Sequence, residues 1–405
     1  MDKLLRIIKK FIPGFLFSAL QPFYHRALAV AASAIYGNPS AKLKVIGVTG
    51  TNGKTTIVHL LTAVLEATGE PVASISSLTF KIKNDEWKNT MKMTMPGRFT
   101  IQKFLKRAAD EGCKFAVLEV TSEGIKQFRH RGIDFYMGIL TNVTPEHIES
   151  HGTFENYRMA KSELFKRAKI HILNGEDPSV EYFAKIPTLT RIVYTKKDLP
   201  NDFHLKLPGE FNIENAVAVF QAAKFLGIPR QTIKSVLESF ENVQGRMEFI
   251  RRGPFVVVVD YAHTPDALEK VYQTLRQPSG RLICVLGSAG GGRDKWKRPE
   301  IGKIAARYCD AIFLTNEDPY DEDPKKIIED VEKGVLFSHS SSKMDYEIII
   351  DRREAISSAL KIAKLGDTII ITGKGAEPWL MGPNGSRQEW DDREVVREEL
   401  KKIGG

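Results

Sequence analysis

Mainly apolar runs without in-and-out alternation recur along this chain: Leu43–Val48, Phe115–Val120, Phe135–Leu140, Ile170–Leu173, Phe255–Val259, Leu282–Leu286, Ala311–Leu314, Ile348–Ile350 and Thr368–Ile371. A strand with one wet face alternates, whereas a strand covered on both faces does not. Amphipathic helical stretches separate most of the runs, which predicts an α/β chain of parallel sheets flanked by helices. At 405 residues and 42% apolar content, the chain can bury two or three such cores. A polar Asn-Val-Gln-Gly link follows the helix expected over Gln231–Phe240, placing a boundary near Glu241–Arg246. The expected division is an N-terminal helical segment (1–40), a P-loop-type parallel-sheet domain (41–243) and a smaller, Rossmann-like α/β domain (244–405).

The first run feeds directly into Gly-Thr-Asn-Gly-Lys-Thr-Thr, residues 50–56, and Ile57, Leu60, Leu61, Val64 and Leu65 continue at helix spacing. A phosphate needs that arrangement: unpaired N–H groups at a helix N-terminus, no Cβ in the way, and one lysine charge. Gly50, Thr51, Asn52, Gly53 and Thr56 would form the cradle, Lys54 would reach the outer phosphates, and Thr55 would hold Mg2+. The strict pattern has glycine where Val48 stands, so an ordinary strand-to-helix turn is the competing reading.

Composition narrows the classes. Of the net charge of +9, residues 1–44 supply +6, from seven Lys/Arg against one Asp. The near-balanced remainder argues against a nucleic-acid-binding body. Cys113, Cys284 and Cys309 lack metal-ligand or redox spacing, which fits a reducing cytoplasm and suggests neither disulfide frame nor zinc site. Pro13, Gln21, Pro22, His25 and Arg26 interrupt the apolar stretch Phe11–Tyr36, so a spanning helix is not expected. A signal peptide also fits poorly. Two readings of the N-terminus stay open. One is a helix over Tyr24–Tyr36 packed on the first domain. The other is an interfacial membrane contact through Leu4, Ile7, Ile8, Phe11, Phe15 and Phe17, with Lys3, Arg6, Lys9 and Lys10 at the headgroups.

Three further polar positions stand where strands or their loops end. Glu119 lies inside an apolar run, where a carboxylate is costly unless it meets a cation such as nucleotide-bound Mg2+. His147 follows Phe135–Leu140 in a loop at the same sheet edge, where ligands of open α/β sheets bind. Lys161 shares a helical face with Phe154, Tyr157, Leu164 and Ala168. It is either a snorkelling lysine or a buried, neutral one able to form a carbamate that holds a second Mg2+.

These motifs occur together with Tyr36-Gly-Asn-Pro-Ser40, Leu118-Glu-Val-Thr-Ser122, Thr141-Asn-Val-Thr-Pro-Glu-His147, His151-Gly-Thr-Phe and Ala160-Lys161. Pro208-Gly-Glu-Phe-Asn-Ile-Glu-Asn215, Gly245-Arg-Met-Glu248 and Val259-Asp-Tyr-Ala-His-Thr-Pro-Asp266 follow, then Gly292-Arg-Asp-Lys295, Lys297-Arg-Pro299 and Gly373-Lys-Gly375. In that order they resemble the Mur ligase family, ATP-dependent enzymes that extend the peptidoglycan stem peptide. The likeness is strongest to the branch that adds the third residue. The resemblance implies ATP and two Mg2+ ions, with Glu119, His147 and a carbamylated Lys161 as metal ligands. It puts Asn215 at adenine, Arg246 and Lys295 at the phosphates, and Asp260 near the ribose. Thr94, Thr121, Gln127 and Arg129 would contact the muramoyl-peptide acceptor, and Arg293, Asp318, Gly373 and Glu377 the incoming amino acid. It also implies chemistry through an acyl phosphate, small-molecule substrates only, and a cytoplasmic monomer, membrane-associated if the second reading of the N-terminus holds.

The sequence departs from the family pattern at several points. A UDP-gripping domain is expected ahead of the nucleotide loop, and the basic, apolar Met1–Ala34 stands there instead. The acceptor would then carry UDP, another group or a lipid. Glu317-Asp-Pro-Tyr320 replaces the Asp-Asn-Pro-Arg of members that take diaminopimelate, and the acidic run Glu317, Asp318, Asp321, Glu322 and Asp323 would favour a cationic side chain. The expectation is L-lysine or another basic diamino acid. Glu123, Ala376 and Met95 also replace residues usual in the family. Competing functions are a folylpolyglutamate-type ligase, a P-loop NTPase without ligase activity, and, from Gly287-Ser-Ala-Gly-Gly-Gly292, a dinucleotide-binding oxidoreductase.

Overall fold

A computed structural model describes residues 14–91, 93–338 and 345–403, with only the backbone of 14–20. The first domain holds β1 (Lys44–Thr49), β2 (Val72–Ile75), β3 (Thr79–Ile82), β4 (Asp85–Lys88), β5 (Phe115–Glu119), β6 (Phe135–Leu140), β7 (Ile170–Asn174) and β8 (Thr190–Tyr194). They form one sheet in the order β4-β3-β2-β5-β1-β6-β7-β8, in which only β3 runs antiparallel to the rest. On one face, helices Lys54–Glu66 and Glu210–Phe225 bury Ile57, Leu60, Val64, Val217 and Phe220 against Ile46, Val48 and Ile139. On the other, Arg98–Asp110 and Phe154–Phe165 bury Phe104, Leu105, Leu164 and Phe165 against Val45, Ala116 and Leu118. Covered on both sides, the central strands have no wet face, as their unbroken apolar sequence requires.

The second sheet comprises β9 (Glu248–Arg251), β10 (Val256–Asp260), β11 (Leu282–Leu286), β12 (Ala311–Leu314), β13 (Asp345–Ile348) and β14 (Thr368–Thr372). Its order is β13-β12-β11-β14-β10-β9, with only β9 antiparallel. Helices Pro265–Leu275, Lys297–Tyr308 and Pro324–Ser338 cover one face; Arg352–Lys361 and Asp392–Ile403 cover the other. The latter two are locked by the buried Arg352–Asp392 pair, with Nε–Oδ1 at 2.8 Å and Nη2–Oδ2 at 2.7 Å, and Trp390 Nε1 donates to Asp392 Oδ1 as well. A small hairpin, β15 (Trp379–Met381) with β16 (Arg387–Glu389), follows β14.

Three expectations need correction. Cys284 on β11 and Cys309, just before β12, form a disulfide across a Cα separation of 6.2 Å, and Cys113 alone is free. A strand–helix–strand crossover brings the pair together, and Cys spacing carries no trace of that. The N-terminal helix spans Gly14–Ile35 and runs through Pro22, which costs one backbone hydrogen bond without ending it. The strand expected at Ile348–Ile350 ends at Ile348, its pairing with β12 starting instead at Asp345. From Ala29 onward the N-terminal helix does pack on the first domain: Ala29, Ala32 and Ser33 are buried, and Ser33 Oγ donates to Gly132 O at 2.9 Å. The residues invoked for membrane contact lie outside the described side chains. Among the described residues no helix is long and apolar enough to cross a membrane.

His130 is buried on that same loop, and neither ring nitrogen has a hydrogen-bond partner among the described residues. Burial, with Arg167 adding, lowers its pKa to about 3. The unfolded chain therefore binds more protons than the folded one between that value and the ordinary 6.5, so stability falls as pH drops through this window. Replacing His130 with Leu should shrink the loss of unfolding free energy between pH 7 and pH 5 by about 2 kcal/mol. Urea denaturation at the two pH values measures it; an unchanged difference would show that His130 is not neutral when folded.

Candidate active site

The C-terminal ends of both sheets open onto one cavity of about 520 Å³, lined by loops from each domain. Its floor is the turn after β1. Gly50 (φ 153°) and Gly53 (φ 84°) shape it, and neither position tolerates a side chain. A Cβ on Gly50 would fall 1.8 Å from Thr141 Oγ1, and one on Gly53 would fall 2.4 Å from Asn215 Oδ1. Thr51 Oγ1 bonds the Tyr157 hydroxyl at 3.0 Å, and Asn52 N donates to Asn142 Oδ1 at 2.9 Å. The loop is therefore fixed from β6 and from helix Phe154–Phe165 together.

Glu119 ends β5 on the cavity wall and is buried. Its Oε2 accepts from Thr55 Oγ1 and from Ser77 N, both at 3.0 Å, and Lys54 Nζ lies 3.9 Å from Oε1. Arg246 reaches across from the second domain, donating to Ser77 Oγ at 3.2 Å and Thr55 Oγ1 at 3.4 Å, with its guanidinium 4.0 Å from the centre of the Tyr261 ring.

Lys161 is 1% exposed, which disposes of the snorkelling reading. Its Nζ donates to Gly50 O at 2.7 Å and sits 4.3 Å from the centre of the Tyr157 ring. Lys54 Nζ donates to the same carbonyl at 3.1 Å and to Thr51 O at 2.7 Å. Burial, then the neighbouring Lys54, pull the Lys161 pKa well down. His147 lines the cavity at φ 56°, and its pKa is lowered to about 3 by burial and then by Arg293. His147, Glu119 and Lys161 therefore line one cavity.

The acceptor candidates Thr94, Thr121, Gln127 and Arg129 line the same cavity. Arg129 Nη2 donates to Gln127 Oε1 at 2.7 Å, while Thr121 Oγ1 caps Gly124 N at 3.1 Å. Glu123 stands beside them, its pKa lowered to about 2 by a hydrogen bond from His151. Asn215 and Asp260 are also on the wall, but Asp260 spends both oxygens on the backbone, accepting from Met247 N and Ala262 N at 2.6 Å. Its side chain shapes the Arg246 loop. Arg293 and Glu377 line the cavity too, and Tyr261 OH donates to Glu377 Oε1 at 3.0 Å.

Lys295, Asp318 and Gly373 are not on the cavity wall. Lys295 is mostly exposed, and its Nζ lies 3.6 Å from Glu322. Two residues on, Lys297 is buried and pairs with Glu146 at 2.9 Å. Asp318 lies beneath the site, accepting from Lys374 Nζ at 2.9 Å and from Met381 N at 2.8 Å. Gly373 backs onto Glu317. Nor is the acidic run an open anionic face: Glu322 accepts from Arg298, Asp321 from Asn384 N and Asp323 from Lys325 N. Asp321 and Asp323 are exposed and Glu322 half-exposed, while the buried Glu317 keeps Oε2 without a hydrogen-bond partner among the described residues. Sequence reasoning missed Ser77, Tyr157, Glu146 and Asp294; Asp294 accepts from Ile148 N and Glu149 N at 3.1 and 2.9 Å. Asp294 lay inside a quoted motif, so its neighbours were the available signal.

Comparison with known proteins agrees with this geometry. Residues 48–198 match the Mur ligase middle domain, and residues 245–375 match the Mur ligase glutamate ligase domain. The UDP-N-acetylmuramoyl-L-alanyl-D-glutamate–2,6-diaminopimelate ligase of Clostridium botulinum is 36% identical over 406 residues, covering 93% of this chain and 82% of that protein. A solved structure of a ligase with that name is 31% identical, with a TM-score of 0.58, over 90% of this chain and 79% of the other. The folylpolyglutamate synthase of Mycobacterium tuberculosis shares the fold, with a TM-score of 0.71 at 18% identity over 86% and 92% of the two chains. With its two domains matched in order around a shared nucleotide loop, this chain belongs to the Mur ligase family and is an ATP-dependent, ADP-forming ligase.

Proposed function

We propose that this ligase adds a basic diamino acid, L-lysine in type, to a muramoyl-L-alanyl-D-glutamate acceptor during peptidoglycan precursor synthesis. Residues 41–243 would form the ATPase body and residues 244–405 the amino-acid-binding domain. The observation that carries the reading is the single cavity faced by the nucleotide loop, by Glu119, His147 and Lys161, and by Arg129 and Arg293. A folylpolyglutamate-type acceptor is less favoured, because the identity to that synthase supports only a common fold.

The chemistry follows from the charges. A carboxylate is a poor acylating agent, so its oxygen attacks the γ-phosphorus of ATP, giving an acyl phosphate and ADP. The amine of the incoming amino acid then attacks the acyl carbon; phosphate leaves and the ammonium proton is released. Lys54 and Arg246 offset the charge that accumulates as two anions approach. Arg246 now rests on neutral hydroxyls, partners that a phosphate oxygen would readily replace. Among the described residues no three His, Cys, Asp or Glu side chains are gathered as a metal site, but Thr55 Oγ1 and Glu119 Oε2 are adjacent oxygens of the kind that magnesium takes, and Glu146 Oε2 is buried without a hydrogen-bond partner among the described residues. Bound there, Mg2+ would neutralise phosphate charge and hold the reacting oxygens in line. Lys161, kept neutral, can add through Nζ to the carbon of CO2 and lose a proton, becoming a carbamate with two more oxygens for that ion.

Tyr320 supports the choice of amino acid. It occupies the position at which a guanidinium would pair with a distal carboxylate, and its hydroxyl instead accepts from Arg293. No residue of the acidic run lines the cavity, so it contributes nothing to this choice.

Lys54→Ala should lower ADP formation by about 10³-fold or more, measured in a coupled assay with folding checked by circular dichroism. Lys161→Ala should lose a comparable factor and regain at least about tenfold on addition of acetate or formate; a folded variant that no short carboxylate restores would rule out the carbamate. With a UDP-muramoyl-dipeptide acceptor and mass spectrometry of the product, L-lysine should exceed meso-diaminopimelate by about tenfold in kcat/KM. The opposite preference would defeat the Tyr320 reading, and ADP release with no amide product would defeat the acceptor assignment.

A further inference from the structure

The helix Gly14–Ile35 carries a second surface that ligase chemistry does not use. Its inward face buries Ala29 and Ala32 fully and ties Ser33 to Gly132, with His25 and Leu28 half-buried beside them. Among the described side chains, residues 21–35, the outward face is mainly apolar, with Gln21 and Arg26 as its exposed polar members. Phe23 is 72% exposed, Val30 57% and Ile35 70%. Tyr24, Ala27, Ala31 and Ala34 are exposed among them. At helix spacing, Phe23, Ala27, Val30 and Ala34 form one stripe, with Tyr24, Ala31 and Ile35 along its flank. No acidic residue occurs in the helix, and Arg26 is its one Lys or Arg. Exposed apolar stripes of this length mark contact surfaces.

Charge identifies the occupant. Residues 1–13 precede the helix and combine Lys3, Arg6, Lys9 and Lys10 with Leu4, Leu5, Ile7, Ile8 and Phe11, against a single acid, Asp2. Apolar side chains interleaved with cations suit an anionic lipid surface, where the first enter the acyl boundary and the second meet the headgroups. A second copy of the chain fits worse, since it would bring two equally basic segments together.

We infer that the outward face of helix Gly14–Ile35, together with the basic residues before it, docks on anionic membrane surfaces. The place of the helix gives docking a consequence. Tyr24 and His25 lie close enough to Arg98 to interact electrostatically, and His25 likewise to Arg129, which lines the acceptor end of the cavity. Docking would set that end of the cavity beside the bilayer, within reach of an acceptor carried on a lipid. The docking itself is independent of the proposed substrates.

The test is co-sedimentation of the full chain with phosphatidylcholine vesicles, with and without 30% phosphatidylglycerol. Partitioning should be at least tenfold stronger with the anionic lipid and should fall at 0.5 M NaCl. Phe23→Glu/Val30→Glu/Ile35→Glu should lose at least tenfold, and Lys9→Glu/Lys10→Glu should abolish the preference for anionic lipid. Lys54→Ala should partition as the wild type does, which separates docking from ligase activity. Equal partitioning into both vesicles, or a triple variant that binds unchanged, would overturn the proposal. So would a dimer in light scattering that the triple variant dissolves, since the face would then belong to a second copy.

Discussion

The carbonyl of Gly50 is the point on which this site turns. Lys54 and Lys161, from helices on opposite faces of the sheet, both donate to it, at 3.1 and 2.7 Å. Two ammonium groups on one buried oxygen would repel each other by on the order of a few kcal/mol at a protein-like dielectric. Glu119, 3.9 Å from Lys54, offsets one charge, and burial together with Lys54 lowers the Lys161 pKa well below its ordinary value. The same geometry explains why position 50 must be glycine: the turn that aims this carbonyl at both lysines leaves no room beside Thr141. A phosphate-binding turn and a lysine whose charged form is disfavoured are thus two consequences of one backbone conformation.

The two domains meet around that turn through polar contacts. Asn52 Nδ2 donates to Asp266 Oδ2 at 2.9 Å, Lys297 pairs with Glu146, and Asp294 caps the backbone at Ile148 and Glu149. Polar interfaces of this kind are compatible with relative domain motion, because each bond can be exchanged for one to water or ligand. Arg246 is the contact best suited to such exchange. Its stacking on Tyr261 fixes the plane of the guanidinium while its hydrogen bonds go to hydroxyls, so an incoming anion gains a pre-aligned partner at little cost in lost bonds.

How much of this could be seen in the residues alone depended on how local each signal was. Most central strands were legible because two covered faces leave an unbroken apolar run; β2, fully buried but only Val-Ala-Ser-Ile, β4, wholly exposed at an edge, and β8, half-exposed at the other, leave none. Lys161 was legible because Tyr157 and Leu164, at helix spacing, declare that face buried. Ser77 was not, since it sits in a turn between β2 and β3 and acquires its role from Glu119 and Arg246, distant in sequence. Lys295 and Lys297 differ by two positions, and only the start of helix Lys297–Tyr308 decides which enters the interior. The Cys284–Cys309 pair and the acidic run, which does not line the cavity, fail for the same reason. Each depends on which elements pack together, and composition does not encode that.

Selection of the amino acid rests on a subtler balance. Arg293 lines the cavity with a tyrosine hydroxyl on its guanidinium, so part of its donor capacity is already used by a neutral group. A distal carboxylate entering here would meet an Arg293 guanidinium already engaged by the phenol of Tyr320, a weaker match than a second guanidinium would give. On the proposed preference for a basic diamino acid, discrimination would come from this weakened pairing, with no steric block needed. A cation at the end of the side chain faces no such penalty so long as its ammonium can stay hydrated at the mouth of the cavity.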